Sequence, residues 1–394
     1  MKRPLDGVRI IDLTRVLAGP FCTLILRDMG AEVIKVEGPE GDEGRAWPPL
    51  YKGKSLSFDV WNRGKKHVSM NLYSETAKEL MRELVKVSDV VVENFRPGVM
   101  KDMGFDYDKL KLLNPSIILT SISGFGQEGP WATRVANDPV AQALSGFMSI
   151  TGFPDGPPVK AQQNMADYTL GMWAAMGTLG ALYQKIATGE GQLVDVAMLD
   201  GFLAFMGVPM AQYLALGEVG QRVGNGNPFS VPNNLFKARD GYVYIAAGID
   251  GLYNRLLQVM GRDDIRKSGV YANKLQRVDA CVAVEKMVSD WAATQTVEEV
   301  CQKLEKAAVP FAPVYDTGQA ATSEHTRAHE MMIEAQDPAA GPMPVTGTPI
   351  KFSGSKLGEV SAVPPPGAHN EEIFCGLLGH AAEELAKWKT EGIV

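Results

Sequence analysis

The first quarter of the chain alternates short apolar runs with amphipathic stretches, and few folds accept that rhythm. Val8-Arg9-Ile10-Ile11-Asp12-Leu13 reads as a strand, and residues 20–29 read as a helix with proline near its start. Residues 30–37 form a second strand, and Ser69-Met70-Asn71-Leu72 a third. A helix capped by Ser74 follows, with Ala77, Leu80, Met81 and Leu84 at helical spacing. Asp89-Val90-Val91-Val92-Glu93 is a fourth strand, apolar within as a strand covered on both faces should be, and residues 117–122 a fifth. Strand, helix, strand, repeated, predicts an α/β fold: a parallel sheet with Rossmann-like winding. The turn after the first strand, Arg15-Val16-Leu17-Ala18-Gly19-Pro20, lacks the GxGxxG spacing, so NAD or FAD is not expected.

Beyond the sheet the pattern changes. Residues 168–185 read as a helix dense in Gly171, Ala174, Ala175, Gly177, Gly180 and Ala181. An interior glycine costs a helix up to about 1 kcal/mol relative to alanine. So many small residues predict close approach to another backbone. A strand over 192–196 and an apolar helix over 198–216 come next. Residues 217–234 cluster Gly, Asn and Pro and read as a linker. Asp240-Gly241 between alternating runs marks a hairpin over 235–245, and amphipathic helices follow over 252–260 and 278–307. The predicted organisation is a large domain from 1–216 plus 331–394, a linker at 217–234, and a smaller α+β domain over 235–330. The Pro- and Gly-rich tail is expected to wrap over the molecule and to close with a helix over 370–389.

Composition narrows the function classes. A chain of 394 residues with 45% hydrophobic and 22% charged residues buries an ample core. The net charge of −7, with no block of like charge, disfavours nucleic acid as a partner. The longest uncharged run, 168–184, is too short and glycine-rich for a membrane span, and the first residues carry no signal-peptide core. Cys22, Cys281, Cys301 and Cys375 form no CxxC pair and, with five scattered histidines, no metal spacing. They read as reduced, buried thiols of a cytoplasmic protein.

Asp167, just before the small-residue helix, is the first candidate for chemistry. It reads either as a helix N-cap or as a carboxylate nucleophile kept ionised by the helix dipole, with free N–H groups ready for an oxyanion. Asp138 in Asn137-Asp138-Pro139 reads by itself as a turn residue. Arg15, Lys35, Arg45, Lys65, Lys66 and Arg96 sit near strand ends, where an α/β sheet binds ligands, and are candidates for phosphate contacts. Glu93-Asn94-Phe95-Arg96-Pro97-Gly98 combines an amide, an aromatic face and a guanidinium, the kit for adenine and its phosphates. The glycine-rich loops at 124–130 and 248–251 carry weaker signals. His325, His329, His369 and His380 read as surface residues.

Several of these motifs together resemble the class III CoA-transferase family, the formyl-CoA and carnitine CoA-transferases. They are Arg15-Val16-Leu17-Ala18-Gly19-Pro20, residues 30–37, Glu93-Asn94-Phe95-Arg96-Pro97-Gly98, Ser123-Gly124-Phe125-Gly126 with Gly129-Pro130, Ser145-Gly146, Thr151-Gly152, Pro157-Pro158, Asp167, Gly189-Glu190-Gly191-Gln192 and Val194-Asp195-Val196. The resemblance covers nearly the whole chain in order and spacing. It implies a large Rossmann-like domain built from both chain ends, a small domain between, and two subunits interlocked as a homodimer. It implies that Asp167 attacks a donor thioester and that Asp138 lies near the acyl group. Val16, Ala18, Asn94, Phe95 and Met103, with Arg96 of the same motif, would line the site for coenzyme A, which is a substrate and not a tightly bound cofactor. The implied activity moves CoA from an acyl-CoA, with succinyl-CoA the expected donor, to a carboxylic acid. The turn Gly248-Ile249-Asp250-Gly251 is shorter than the glycine run of some relatives, which bears on an oxalate-type acceptor. Two other readings stand beside this one. An α-methylacyl-CoA racemase needs a histidine where Asn137 stands, and asparagine cannot relay a proton. A non-catalytic CoA-binding protein is the third.

Overall fold

The computed structural model describes residues 2–338, 340–355 and 360–394. Met1, Ala339 and residues 356–359, parts of the predicted large domain, lie outside the described residues. The chain divides into two compact units, 2–145 with 161–210 and 324–394, and 146–160 with 211–323. Residues 146–160 and 211–216 therefore pack with the second unit, and 217–234 belongs to it instead of standing apart as a linker.

In the first unit, β1 (Arg9–Asp12), α1 (Ala18–Asp28), β2 (Glu32–Glu37), α2 (Leu56–Asn62), β3 (Lys66–Ser69), α3 (Glu75–Lys86), β4 (Val90–Glu93) and β5 (Ile118–Ser123) follow one another. Then come α4 (Asp138–Leu144), α5 (Met165–Thr188), β6 (Leu193–Ala197) and α6 (Met198–Phe205), and α7 (Gly207–Leu216) begins in this unit and ends in the second. The six strands form one parallel sheet in the order 3-2-1-4-5-6. That is the doubly wound order, whose direction reverses between β1 and β4. Ile11, Ile34, Val68 and Val91 from the sheet pack with Leu80, Met81 and Leu84 from α3. The chain's last stretch completes this core with Ile373, Phe374, Leu385, Trp388 and Val394.

The small residues of α5 have a physical cause. A Cβ on Gly171 would stand 2.7 Å from the Ala18 carbonyl oxygen and 3.0 Å from the Phe21 ring, so α5 lies directly on the start of α1. A Cβ on Gly177 would stand 2.8 Å from Val194 of β6. α1 begins two residues before the predicted Pro20. The third strand lies at Lys66–Ser69, not at 69–72, because its charged residues find partners in the fold and need no solvent. The apolar run 198–216 is two helices bent by 72° at Met206. Among the described residues no single helix is long and apolar enough to cross a membrane.

The tail does more than wrap. Met332–Asp337 and Gly341–Thr346 pair as an antiparallel hairpin, and Ala335, Met343 and Val345 bury a small cluster with Leu56 and Val60 of α2. The closing helix is two, Glu371–Leu377 and Ala382–Thr390. Of the cysteines only Cys22 is fully buried; the other three are half-buried, and all four are free thiols. His325 and His329 are exposed. His369 is half-buried and accepts from His67 N–H at 2.9 Å, and His380 sits 2.6 Å from Glu83, so neither is a plain surface residue.

The second unit holds a three-stranded antiparallel sheet in the order Phe311–Pro313, Tyr242–Ala246, Asn233–Lys237. The segment predicted as one helix over 278–307 is three: Lys274–Asp279, Cys281–Ala293 and Val297–Lys306. Thr296 and Glu299 form a reciprocal cap that starts the last of them. Val243, Ile245, Leu256, Val288, Val300 and Leu304 make its core. Arg277, fully buried, donates to the carbonyls of Val231 and Gly248 and to Asp250, so the Gly248–Gly251 turn is tied down from within the unit.

Candidate active site

Strand order places a crevice where the sheet direction reverses, outside the carboxyl ends of β1 and β4. A cleft of about 600 Å³ lies there, lined by Leu13 and Arg15 after β1, Gly38, Pro39 and Gly41 to Glu43 after β2, Leu72, Tyr73 and Lys78 after β3, and Phe95 and Met103 after β4. Its floor joins the loops after β1 and β4. Arg15 N–H donates to Asn94 Oδ1 at 2.8 Å, and Asn94 Nδ2 donates back to the Arg15 carbonyl at 2.7 Å. The Arg15 guanidinium lies 5.2 Å from the Phe95 ring centre. Glu93, buried beneath, accepts from Phe95 N–H at 2.8 Å. Burial pushes the Glu93 carboxyl up to about 7, against the pull of its hydrogen bonds from Ser121 and Phe95.

Most of the candidate phosphate ligands are engaged elsewhere. Lys65 is fully buried and donates to Asp12 Oδ2 (2.9 Å), the Pro20 carbonyl (3.0 Å) and Asn62 Oδ1 (2.9 Å). Lys35 is equally buried and donates to the Thr14 carbonyl at 2.7 Å while pairing with Asp42 at 3.3 Å. Arg45 clasps Glu37 through two nitrogens at 2.6 Å each, and Lys66 pairs with Glu32 and Glu372. Burial pushes the Asp12 carboxyl up, but the charges of Lys65 and Lys35 and two hydroxyl donors outweigh it and hold it near about 2. These ion pairs build the strand ends. Only Arg15 and Arg96 remain exposed and outside ion pairs. The sequence spacing could not separate the two groups, because the partners Asp12, Glu37 and Asp42 are identified only by folding.

Between β1 and α1, Val16 adopts φ +68°, a left-handed conformation that a β-branched residue holds only when its surroundings enforce it. The enforcing contacts are Asp12 to Thr14 (2.9 Å to the N–H) and Lys35 to the Thr14 carbonyl. Val16 is thereby presented outward, 43% exposed. Ala18 is buried in the first turn of α1. Asn94 holds the cleft floor, Phe95 and Met103 line it, and Arg96 does not.

Asp167 stands in the first turn of α5, but it is not the N-cap; Asn164 occupies that position and makes no side-chain cap bond. The capping work falls to a side chain from another helix. Asp138, 3% exposed at the start of α4, accepts from Ala166 N–H through Oδ1 at 2.7 Å and from Gln142 Nε2 through Oδ2 at 2.6 Å. Met165 N–H donates to the Gln163 carbonyl and Tyr168 N–H to that of Asn164, so the first turn offers an oxyanion few of its N–H groups. Among the described residues the half-buried Asp167 carboxylate has no hydrogen-bond or ion-pair partner. It lies one turn before Gly171, so the two positions share a face of α5. Burial, and then the nearby charge of Asp138, push Asp167 up to about 7. The dipole expected to keep it fully ionised is outweighed.

The Asp167 carboxylate is thus left without structural work at the start of α5. The sequence pattern of the family described as CoA-transferase family III matches residues 5–370. The chain belongs to CoA-transferase family III. Among family III proteins, the succinyl-CoA–D-citramalate CoA-transferase of Chloroflexus aurantiacus is 34% identical over 395 residues, covering 100% of this chain and 98% of that one. The acetyl-CoA:oxalate CoA-transferase of Acetobacter aceti is 39% identical over 359 residues, covering 90% of each. The crystal structure of a CAIB/BAIF family protein from Brucella suis superimposes with a TM-score of 0.86 at 34% identity, over 96% of this chain and all of that one. The family III assignment thus rests on sequence and on fold together. Gly38, Pro39, Gly41 to Glu43, Tyr73 and Lys78 are cleft residues that motif reading missed. The rule that ligands sit beyond the carboxyl ends of strands would have found them, since they follow β2 and β3 directly.

Proposed function

We propose that this family III CoA-transferase moves CoA from a short acyl-CoA, with succinyl-CoA as donor, to a carboxylic acid by way of covalent intermediates on Asp167. The observation that carries the reading is the division of labour at the start of α5: Asp138 caps the helix, and the Asp167 carboxylate is left unpartnered. The cleft along β1–β4 suits a bound nucleotide. Phe95 supplies a face for adenine, Met103 an apolar wall, and Arg15 and Lys78 positive charge for phosphates. Val16 and Ala18 contribute through the loop that leads from the cleft toward Asp167.

The reaction runs in four displacements. The Asp167 carboxylate attacks the donor thioester carbonyl; the C–S bond breaks, giving a mixed anhydride and CoA thiolate. The thiolate attacks the Asp167 carbonyl of the anhydride, releasing the donor acid as carboxylate and leaving an aspartyl-CoA thioester. The acceptor carboxylate attacks that thioester and expels the thiolate. The thiolate then attacks the acceptor's acyl carbon, forming the new acyl-CoA and restoring Asp167. No net proton moves. A carboxylate is a weak nucleophile in water, so burial that raises its basicity and binding that orients the thioester both serve the attack. Asp138 acts here by holding the first turn of α5 and by its charge.

We further propose a homodimer. Along α5, Met172, Trp173, Met176, Tyr183 and Ile186 face outward, and α7 buries none of its residues. Apolar surface of that extent supports a protein partner, and a second copy of this chain is the reading adopted.

Asp167→Asn tests the chemistry. The variant keeps the shape, so transfer from succinyl-CoA should vanish while the fold and CoA binding persist. Hydroxylamine added during turnover should convert Asp167 to a hydroxamate, read as a mass shift on its peptide. Near-normal transfer by the Asn variant, or no adduct on that peptide, would sink the mechanism.

A further inference from the structure

Gln142 stands one helical turn after Asp138 on α4, so their side chains share a face. It is 0% exposed. A buried amide is costly unless its donors and acceptor are used. Its oxygen accepts from Ala161 N–H at 2.8 Å, and its nitrogen donates to Asp138 Oδ2 at 2.6 Å. The Ala161 N–H settles which end of the amide faces Asp138, since only the oxygen accepts. Asp138 in turn receives Ala166 N–H, the residue next to Asp167. The chain leaves the first unit after Ser145 and returns at Ala161. One amide therefore ties the departing helix to the returning strand of chain, and fixes the carboxylate that seats α5. A methionine would fill the same space with no polar group to satisfy.

We propose that Gln142 is a positioning residue for Asp167, acting through Asp138, whose side chain it holds in the rotamer that caps α5. This rests on the reading of Asp167 as the nucleophile. The helices packed closely against α4 are α5 and α6. Apart from Asp167, the one charged residue of α5 is Lys185, near its far end and paired with Asp89, its other titratable groups are Tyr168 and Tyr183, and α6 carries only Asp200, which is exposed. Asp138 and Asp167 are thus the charges that face one another, and Gln142 is the neutral donor between Asp138 and the returning chain.

Two variants of the full chain test this beside Asp167→Asn. Gln142→Met removes both bonds, and kcat with succinyl-CoA should fall by about tenfold to a hundredfold while KM stays within about twofold, the mark of lost positioning and not lost binding. Gln142→Glu keeps both bonds only while its carboxyl is protonated, since a neutral acid donates to Asp138 and still accepts from Ala161. Its rate relative to wild type should approach one at low pH and fall as pH rises. A folded Gln142→Met with wild-type kcat, or a Gln142→Glu whose relative rate is flat across pH, overturns the proposal. If Gln142→Met fails to fold, the pH-dependent ratio of Gln142→Glu decides alone. An active Asp167→Asn would instead overturn the nucleophile assignment, whereas an inactive Asp167→Asn with normal Gln142 variants would remove only this inference.

Discussion

At the scale of single residues, a half-buried carboxyl and a buried ammonium have opposite consequences. In the proposed mechanism Asp167 must be ionised to attack, and burial with the Asp138 charge lifts it to about 7. The protonated form is inert, so kcat/KM should rise with pH through about 7, well above the range of an ordinary carboxylate. A pH–rate profile of kcat/KM reads the free enzyme and checks this directly; an acid limb near pH 4 would contradict it. Lys65 serves the fold instead. Removing it takes from the buried Asp12 the counter-charge that sits 2.9 Å away, and Lys65→Met should cost about 3–5 kcal/mol in denaturant unfolding. Arg15→Ala should leave the unfolding midpoint almost unchanged and raise KM for acyl-CoA several-fold. The two basic residues look alike in the sequence, and these measurements part them.

At the scale of elements, α5 is the piece on which site and fold meet. Its glycine-rich composition announced a close contact, and the structure supplies it at Gly171, where a side chain would run into the Ala18 carbonyl. Gly171→Ala should destabilise the protein by about 1–3 kcal/mol and slow turnover, because the backbone of α1 must shift with the Val16 loop attached. Thermal unfolding and kcat measured on one preparation check both halves. The sheet was legible in the sequence because its strands are short apolar runs at regular spacing, as at Val90-Val91-Val92. The third strand was displaced in the reading because Lys66 and His67 look like solvent residues until Glu32 and Glu37 are placed beside them. The helix breaks near Met206 and Thr294 were hidden because apolar periodicity runs on across both. The sequence singles out Asp167 by its place before the small-residue helix, and the structure sets it inside the first turn of α5. The role of Asp138 as its cap was not legible, since it depends on a contact between residues 28 apart.

At the scale of the molecule, the outward residues of α5 and the unburied α7 predict that the folded chain exists as a pair. Sedimentation at nanomolar concentration should still give the dimer mass; a folded monomer there would refute it. The composite make-up of the first unit has a consequence in time. Its six strands are all complete by Ala197, yet Ile373, Phe374, Leu385, Trp388 and Val394 still have to cover the apolar face beneath α3. The larger part of the second unit is synthesised in between. A nascent chain therefore carries a formed but uncovered sheet through much of its translation, and the last residues made act as the closing piece. Such an interval exposes apolar surface to other chains. Ribosome-stalled chains ending near residue 320 should be protease-sensitive and bound by chaperones, and release of the segment that contains Trp388 should end that dependence.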